Sequence, residues 1–457
     1  MPTMIYTPKG GAHLRDRWKS QLVALGLFCI GASAWSQTIG EIEFARGVGF
    51  AQSEGQSPRT LGKGLALKQG DRLTTADGGS AIFKLQDGTR MTVRPNSEMV
   101  LQQYNFKESA PDNSMVMQLL RGGFRAITGL ISKNAPNAAR VVSRTATLGI
   151  RGTDFDARIC SVECKAESGS VNVTPRDNAV QASAKLVSVV GEINALDSAG
   201  VRRRVVRGGS VYPGDVLETG SSTTAVLAFR DDSRLTLGPA TRFRVDSFVY
   251  DAKSPKDGRF LVSLLRGSLR ALTGLIGKAN TRNVGFTTPT ATVGIRGTGL
   301  DLDCTIDAGC SFFTWLGTIE VAVNGQTALQ VLQAGQGLFI GPTGMRPLTD
   351  SPLRNLPRPD SVAVDSQQLF GEAAVDDGQE GLFVFVRDGH IEVLTSQQTL
   401  HLGRGETGFA GEDGRAVRPL LTPLFLEFDR TPMPDSSNPM LSTVLGENRI
   451  PSSNQCR

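Results

Sequence analysis

The chain has 457 residues, with 52 Gly, 22 Pro, 20% charged and 6% aromatic residues and a formal net charge of +5. That length implies about two or three domains, each able to bury a core. The composition excludes a wholly disordered or collagen-like chain and points to a turn-rich fold. Histidine is scarce, at three.

Residues 1–36 read as an export signal. Lys9, Arg15, Arg17 and Lys19 precede the apolar run LVALGLFCIGASAW, and small residues follow between Ala32 and Ser36, in the order of a secretory n-region, h-region and cleavage site. Cleavage fits equally after Ala34 or Ser36. The run is shorter than the ~20 residues of a spanning helix; an uncleaved anchor is the alternative, and Phe28 is too bulky beside Cys29 for a lipobox. The expected mature protein is periplasmic or secreted in a Gram-negative bacterium, with no transmembrane segment. Losing four basic residues and one acid lowers the charge from +5 to +2. No Lys/Arg block with interleaved aromatics remains, so nucleic acid is not an expected partner. Arg202, Arg203, Arg204 and Arg207 make the one dense basic patch, expected on a solvated loop.

The mature chain then says nearly the same thing twice. LKQGDRLTTADGGSAIFKLQDGTRMTVRPNS from Leu67 is matched by VYPGDVLETGSSTTAVLAFRDDSRLTLGPAT from Val211. LLRGGFRAITGLISK from Leu119 is matched by LLRGSLRALTGLIGK from Leu264, and TATLGIRGTDFDARIC from Thr145 by TATVGIRGTGLDLDC from Thr290. The offset stays at 144 or 145 residues, which is the signature of a duplicated domain. Within a copy the period is two. Ala81, Phe83 and Leu85 share a face, Asp87-Gly88 turns the chain, and Met91 and Val93 return; Ala225, Leu227 and Phe229, then Leu235 and Leu237, repeat the hairpin. Helical periodicity is weak, and ALTGLIGK, with two Gly, predicts at most a short turn.

The expected domains are 37–180 and 185–342, a Pro-rich linker at 343–368, a partial third β module at 369–428 and a flexible tail at 429–457. The module echoes the end of the second copy: GTIEVAVNGQTALQVLQAGQGLFIG from Gly317 resembles GHIEVLTSQQTLHLGRGETGFAG from Gly389, with GSVNV from Gly169 as a short counterpart in the first. It looks like the closing strands of a unit without its beginning.

The motif at Thr145 invites a phosphate-loop reading, but GIRGTD lacks the spacing and the Lys of such a loop. Gly149 to Gly152 formally spell a GXXG clamp, which belongs between helices, whereas the flanks here alternate like strands. Ala146, Leu148 and Ile150 share one strand face, and Thr145, Thr147, Gly149 and Arg151 the other. Gly149 would allow a bulge or close approach, and Gly152 a bend before Phe155. Arg151 and Arg296 are expected to pair with carboxylates such as Asp154 and Asp301, or to meet an acidic partner.

Cys160 with Cys164, and Cys304 with Cys310, are candidates for short disulfides stapling hairpin loops, worth about 1–2 kcal/mol each. Zinc bound by all four is the rival, at unusual spacings; Cys456 is left over. His390 and His401 lie on the two strands of the third module and read as surface or structural groups. Carboxylates such as Asp154 with Asp156, or Asp301 with Asp303, sit two apart on a strand face and leave a glycosidase-like dyad as an open alternative, although Asp154 aligns with Gly299 and the two copies do not share that carboxylate. No catalytic residue, metal or cofactor is expected.

The runs TATLGIRGTDF and TPTATVGIRGTGLD, preceded by GDRLTTADGGSAIFKLQDGTRMTVRPNS, resemble the FecR-like domain over Gly40 to Val173 and Leu186 to Gly341. The resemblance marks Thr145, Thr147, Gly149, Arg151, Gly152 and Thr153, with Thr290, Thr292, Gly294, Arg296, Gly297 and Thr298, as family-motif positions. It implies an extracytoplasmic all-β fold of solenoid or roll type. It also implies a protein partner in the envelope, as in family regulators that sense the signalling domain of an outer-membrane TonB-dependent transporter and control a sigma factor. About 20 residues before the apolar run are too few for a cytoplasmic anti-sigma domain. The expected function is therefore that of an exported, non-catalytic protein-binding chain. The alternative is an envelope polysaccharide-binding or hydrolysing protein, for which Phe312, Phe313 and Trp315 are the best aromatic group.

Overall fold

A computed structural model describes residues 37–134 and 138–439; the signal segment, Cys456 and the last part of the tail lie outside the described residues. The structure is mostly β, with curled sheets. Among the described residues the strands fall into two hydrogen-bonded sets of 17 and 15. No helix among them is long and apolar enough to cross a membrane.

Both copies begin from the period-two hairpins. Ser80–Leu85 pairs with Arg90–Val93 so that Ala81 faces Val93 and Phe83 faces Met91, and Ala225 faces Leu237 and Leu227 faces Leu235 in the second copy. All eight are buried. Asp87 holds the first turn by accepting from the Thr89 N–H and hydroxyl; Asp231 and Ser233 repeat this. The TGL runs deliver five-residue helices, Leu130–Asn134 and Leu275–Ala279. Their glycines are needed for space: a Cβ on Gly129 or Gly274 would lie 2.2 or 2.0 Å from the carbonyl oxygen of Asp87 or Asp231.

Each copy is organised by one long strand. Ala291–Thr305 pairs on one side with Val284–Thr287 and Arg259–Leu272, and on the other with Gly309–Val323, the next strand in the chain. Thr147–Cys160 has the same neighbours on one side, Ala139–Val142 and Gly123–Ile127. Its other side is filled by Gly381–Leu394. The segment after Gly169, read from sequence as the short counterpart of GTIEV, is not a strand. ECKAES consists largely of good helix formers, and the chain runs as the helix Val162–Gly169 and then irregularly.

The third module is thus part of the first sheet. Leu382, Val384, Val386, Ile391, Val393, Leu400 and Leu402 join Phe124, Leu148, Ile150 and Phe155 in one core, while the second copy keeps its own. The Pro-rich stretch does not run free either: Gly344–Leu348 pairs with Gln336–Gly341, and Leu353 and Leu356 are buried. The described part of the tail, expected to be flexible, packs against the first copy through Asp429 and Thr431, both buried.

Candidate functional site

The repeated motif builds a bulge rather than a loop. A hydroxyl three residues upstream brackets its alanine: Ser143 Oγ donates to the Ala146 carbonyl at 3.0 Å and accepts its N–H at 3.1 Å, and Thr288 does the same to Ala291. Thr145 and Thr290 fall in these turns. Ala146, Leu148 and Ile150, like Ala291, Val293 and Ile295, then point into the core, leaving Thr147, Arg151, Thr292 and Arg296 on the opposite face.

At Gly152 and Gly297 the backbone turns to φ +55° and +61°, a region open to glycine at little cost. The register shifts there, between Arg151 and Asp154 and between Arg296 and Gly299. The facing strands answer with Gly389 and Gly317, where a Cβ would lie 2.4 and 2.3 Å from the carbonyl oxygens of Gly152 and Gly297. Thr153 locks the bulge, its N–H donating to Thr128 Oγ1 at 2.8 Å and its hydroxyl to the His390 carbonyl at 2.9 Å. Thr298 repeats both bonds with Thr273 and Thr318. The bulge sits at Gly152 and not at Gly149, where an added Cβ would meet only ordinary contacts at 3.6 Å. With its backbone groups in a sheet ladder, the run offers no phosphate cradle.

The motif arginines do not pair with Asp154 and Asp301. They reach across to the facing strand, because side chains on one face meet cross-strand neighbours: Arg151 Nη2 lies 2.9 Å from Glu392, and Arg296 Nη2 lies 2.6 Å from Glu320. Asp301 is instead held bidentately by Arg270 at 2.8 and 2.9 Å, as Asp156 is held by Arg125 at 2.9 Å and Arg387 at 2.7 Å. Sequence reasoning missed this pair, although its signal was present: Arg125 and Asp156 recur as Arg270 and Asp301 at the repeat offset. A later segment crosses each, with Arg125 donating to the Thr431 carbonyl and Arg270 to that of Leu356. Burial brings the Arg125 guanidinium down to about 10. Beside this network, burial and then Asp156 push the Asp154 carboxyl up to about 7.

The two sheets meet over the strand Thr399–Leu402. Gly208 of the second copy lies on the His401 ring, with no room for a Cβ. Lys185 enters from the second copy, its ammonium donating to the His401 carbonyl at 2.8 Å and standing 3.2 Å from Glu406, which Arg418 also holds at 2.8 Å. All three charged side chains are buried. Burial drives Lys185 down to about 7. Burial alone would raise Glu406, but Lys185 and Arg418 hold it below the usual carboxylate range.

His390 and His401 are not surface groups. Their rings stack at 24° with Nε2 and Nδ1 3.4 Å apart, and Glu392 lies 3.9 Å from His390 Nε2. Burial first, and positive neighbours and the other imidazole next, hold His390 well below its ordinary value; burial and then Lys185 bring His401 down to about 4.

Cys304 is bonded to Cys310 across a hairpin end. The Cys160–Cys164 bond ties a strand to the first turn of a helix, because the chain turns helical after Ser161. Phe312 is in the core, Phe313 is buried, and Trp315 donates to Asp301 under the Arg358 guanidinium; the three form no exposed aromatic platform. Arg202, Arg203 and Arg204 lie on a strand and pair with Glu218, Asp215 and Glu192.

An edge strand with exposed aliphatic side chains lies in the second copy. Leu329–Gln333 is bonded on one side only, to the end of Gly309–Val323, and Leu329 and Val331 are 56% and 57% exposed. In its counterpart in the first copy, Thr399–Leu402, Gly208 covers the His401 ring and Lys185 donates to the His401 carbonyl.

A family model described as FecR protein matches residues 71–181 and 215–320. No curated protein matches significantly. Two crystal structures of a candidate anti-sigma factor from Parabacteroides distasonis, at 1.65 and 2.50 Å, align over 29% of this chain at 14% identity with a TM-score of 0.24. The aligned part spans 59% of that protein.

Proposed function

We propose, from the premise that this chain is a tandem FecR-domain protein, that it is an exported, non-catalytic envelope protein whose rolled β domains bind a protein partner in cell-surface signalling. The observation that carries this reading is the edge strand Leu329–Gln333, paired on one side only, which keeps two aliphatic side chains in solvent. An exposed apolar edge is costly to leave open, and strand addition is a common way for a sheet to take an extended peptide. The partner class is a periplasmic segment such as the signalling domain of an outer-membrane transporter. The polysaccharide reading loses its support, since Phe312, Phe313 and Trp315 are used internally.

Two measurements test this. N-terminal sequencing of the exported protein is expected to start after Ala34 or Ser36. A photo-crosslinker at Val331 is expected to capture one envelope protein, with capture lost in Leu329→Lys and unchanged in Lys63→Ala. No capture, or capture indifferent to Leu329→Lys, overturns the edge as the binding surface.

A further inference from the structure

We propose that His390, Glu392 and His401 form a binding site for a divalent transition-metal ion of the zinc class. Among the described residues the chain has two histidines, and the fold brings them together. Glu392 and His401 are direct register partners on neighbouring strands, and His390 precedes Glu392 by two, on the same face. In the second copy the equivalent positions are Thr318, Glu320 and Val331, with Glu320 again opposite Val331. The carboxylate is common to both copies, and two imidazoles are added beside it only in the first.

The spacing suits coordination. The donor atoms of the three residues lie within 4.8 Å of one another. Zinc–nitrogen bonds of about 2.0–2.1 Å in a tetrahedral site put two imidazole nitrogens about 3.3–3.4 Å apart, and these stand at 3.4 Å. The same distance is long for an N–H···N hydrogen bond, so direct pairing of the rings is a weak alternative account of the contact. Glu392 and His401 also line a cavity of about 420 Å³ with Thr399, Arg207 and Asp365, which gives an ion an entry path and a water a fourth position.

Two features limit affinity. Arg151 already holds one oxygen of Glu392, and Lys185 and Arg418 are close, although Glu406 serves both. His390 Nδ1 has no hydrogen-bond partner, where a metal-bound imidazole ordinarily donates to a carboxylate or carbonyl; that loss weakens such sites by about 10–100-fold. A bound ion would tie the two strands Gly381–Leu394 and Thr399–Leu402 to each other, beside the seam where Gly208 lies on the His401 ring.

The test is titration of the chelator-treated full chain with zinc chloride, followed by calorimetry and by the imidazole ¹⁵N resonances of histidine-labelled protein. One saturable equivalent is expected, with both ring systems shifted at His390 Nε2 and His401 Nδ1. His390→Thr and His401→Val, the second copy's own residues, are each expected to weaken binding by at least about 10-fold, while Glu320→Gln leaves it unchanged. Absence of a saturable equivalent overturns the proposal, as does uptake that leaves both rings unmoved or persists at full strength in the double variant. If the variants fail to fold, the wild-type ring resonances decide.

Discussion

In the second copy the long strand Ala291–Thr305 turns at its Cys304–Cys310 end and pairs at once with Gly309–Val323. In the first, Thr147–Cys160 runs into a disulfide-tied helix, and its partner Gly381–Leu394 arrives only after the whole second copy has been laid down. Cys160 faces Gly381 in the ladder, so the chain leaves and re-enters the first sheet at adjacent points. That arrangement makes a domain insertion sterically cheap. The difference teaches that this β unit needs a strand on the outer side of its motif strand but does not care where in the chain it comes from. Local closure leaves the hairpin edge open to solvent; distant closure places it against the second copy.

The strongest way to break this comparison is to remove the late strands. A chain ending at Gln367 loses Val384, Val386, Ile391, Val393, Leu400 and Leu402 from the first core, each worth about 1.5–3 kcal/mol. Together these amount to about 9–18 kcal/mol, as large as the roughly 5–15 kcal/mol by which a domain is stable. Hydrogen exchange is expected to show the hairpin 80–93 fully unprotected and the hairpin 224–237 still protected. Native protection at 80–93 would mean that the first copy closes without its C-terminal strands.

A smaller change sharpens the contrast at the seam. Glu406 corresponds to Gln336 in the second copy, where the position is exposed. Glu406→Gln leaves Lys185 and Arg418 buried without a counter-charge, and stability in a urea melt is expected to fall by about 3–5 kcal/mol. The reciprocal Gln336→Glu is expected to stay within about 0.5 kcal/mol, as an exposed substitution usually does. Equal effects would show that the seam charge is not specific to the first copy.

How much of this was legible follows from the range of each interaction. The hairpins at Ala81–Val93 and Ala225–Leu237 could be read because both strands and the turn lie within about a dozen residues and alternate cleanly. Gly152 and Gly297 were readable as bends because few other residues accept a positive φ. The pairing of Gly381–Leu394 with the motif strand was not, since nothing local encodes a partner so distant; the resemblance of GHIEV to GTIEV was the available sign, and GSVNV diverted it. The partner of Arg151 depends on that same long-range register and was lost with it, whereas the meeting of His390 with His401 is set by the local hairpin, whose two strands were readable but whose pairing register was not. The Arg125–Asp156 and Arg270–Asp301 pairs needed only a comparison of the two repeats.

The mildest contrast lies one turn past the motif, where the first copy has Asp154 and the second Gly299. A Cβ at Gly299 would strike the Trp315 ring at 2.5 Å, so the second copy excludes any side chain there. In the first copy there is room, but burial and Asp156 outweigh Arg387 and raise the carboxyl to about 7. An Asp raised in the folded state binds its proton more tightly there than in the unfolded chain. Its contribution is therefore full below about pH 4 and is lost as pH rises through about 7. Above that the ionised group costs about 2 kcal/mol once its partial solvent access is discounted. Asp154→Asn removes the titration. Its melting temperature is expected to match the wild type near pH 4, exceed it by a few degrees at pH 8, and vary less between them. An unchanged pH profile would place the Asp154 carboxylate in solvent rather than against Asp156.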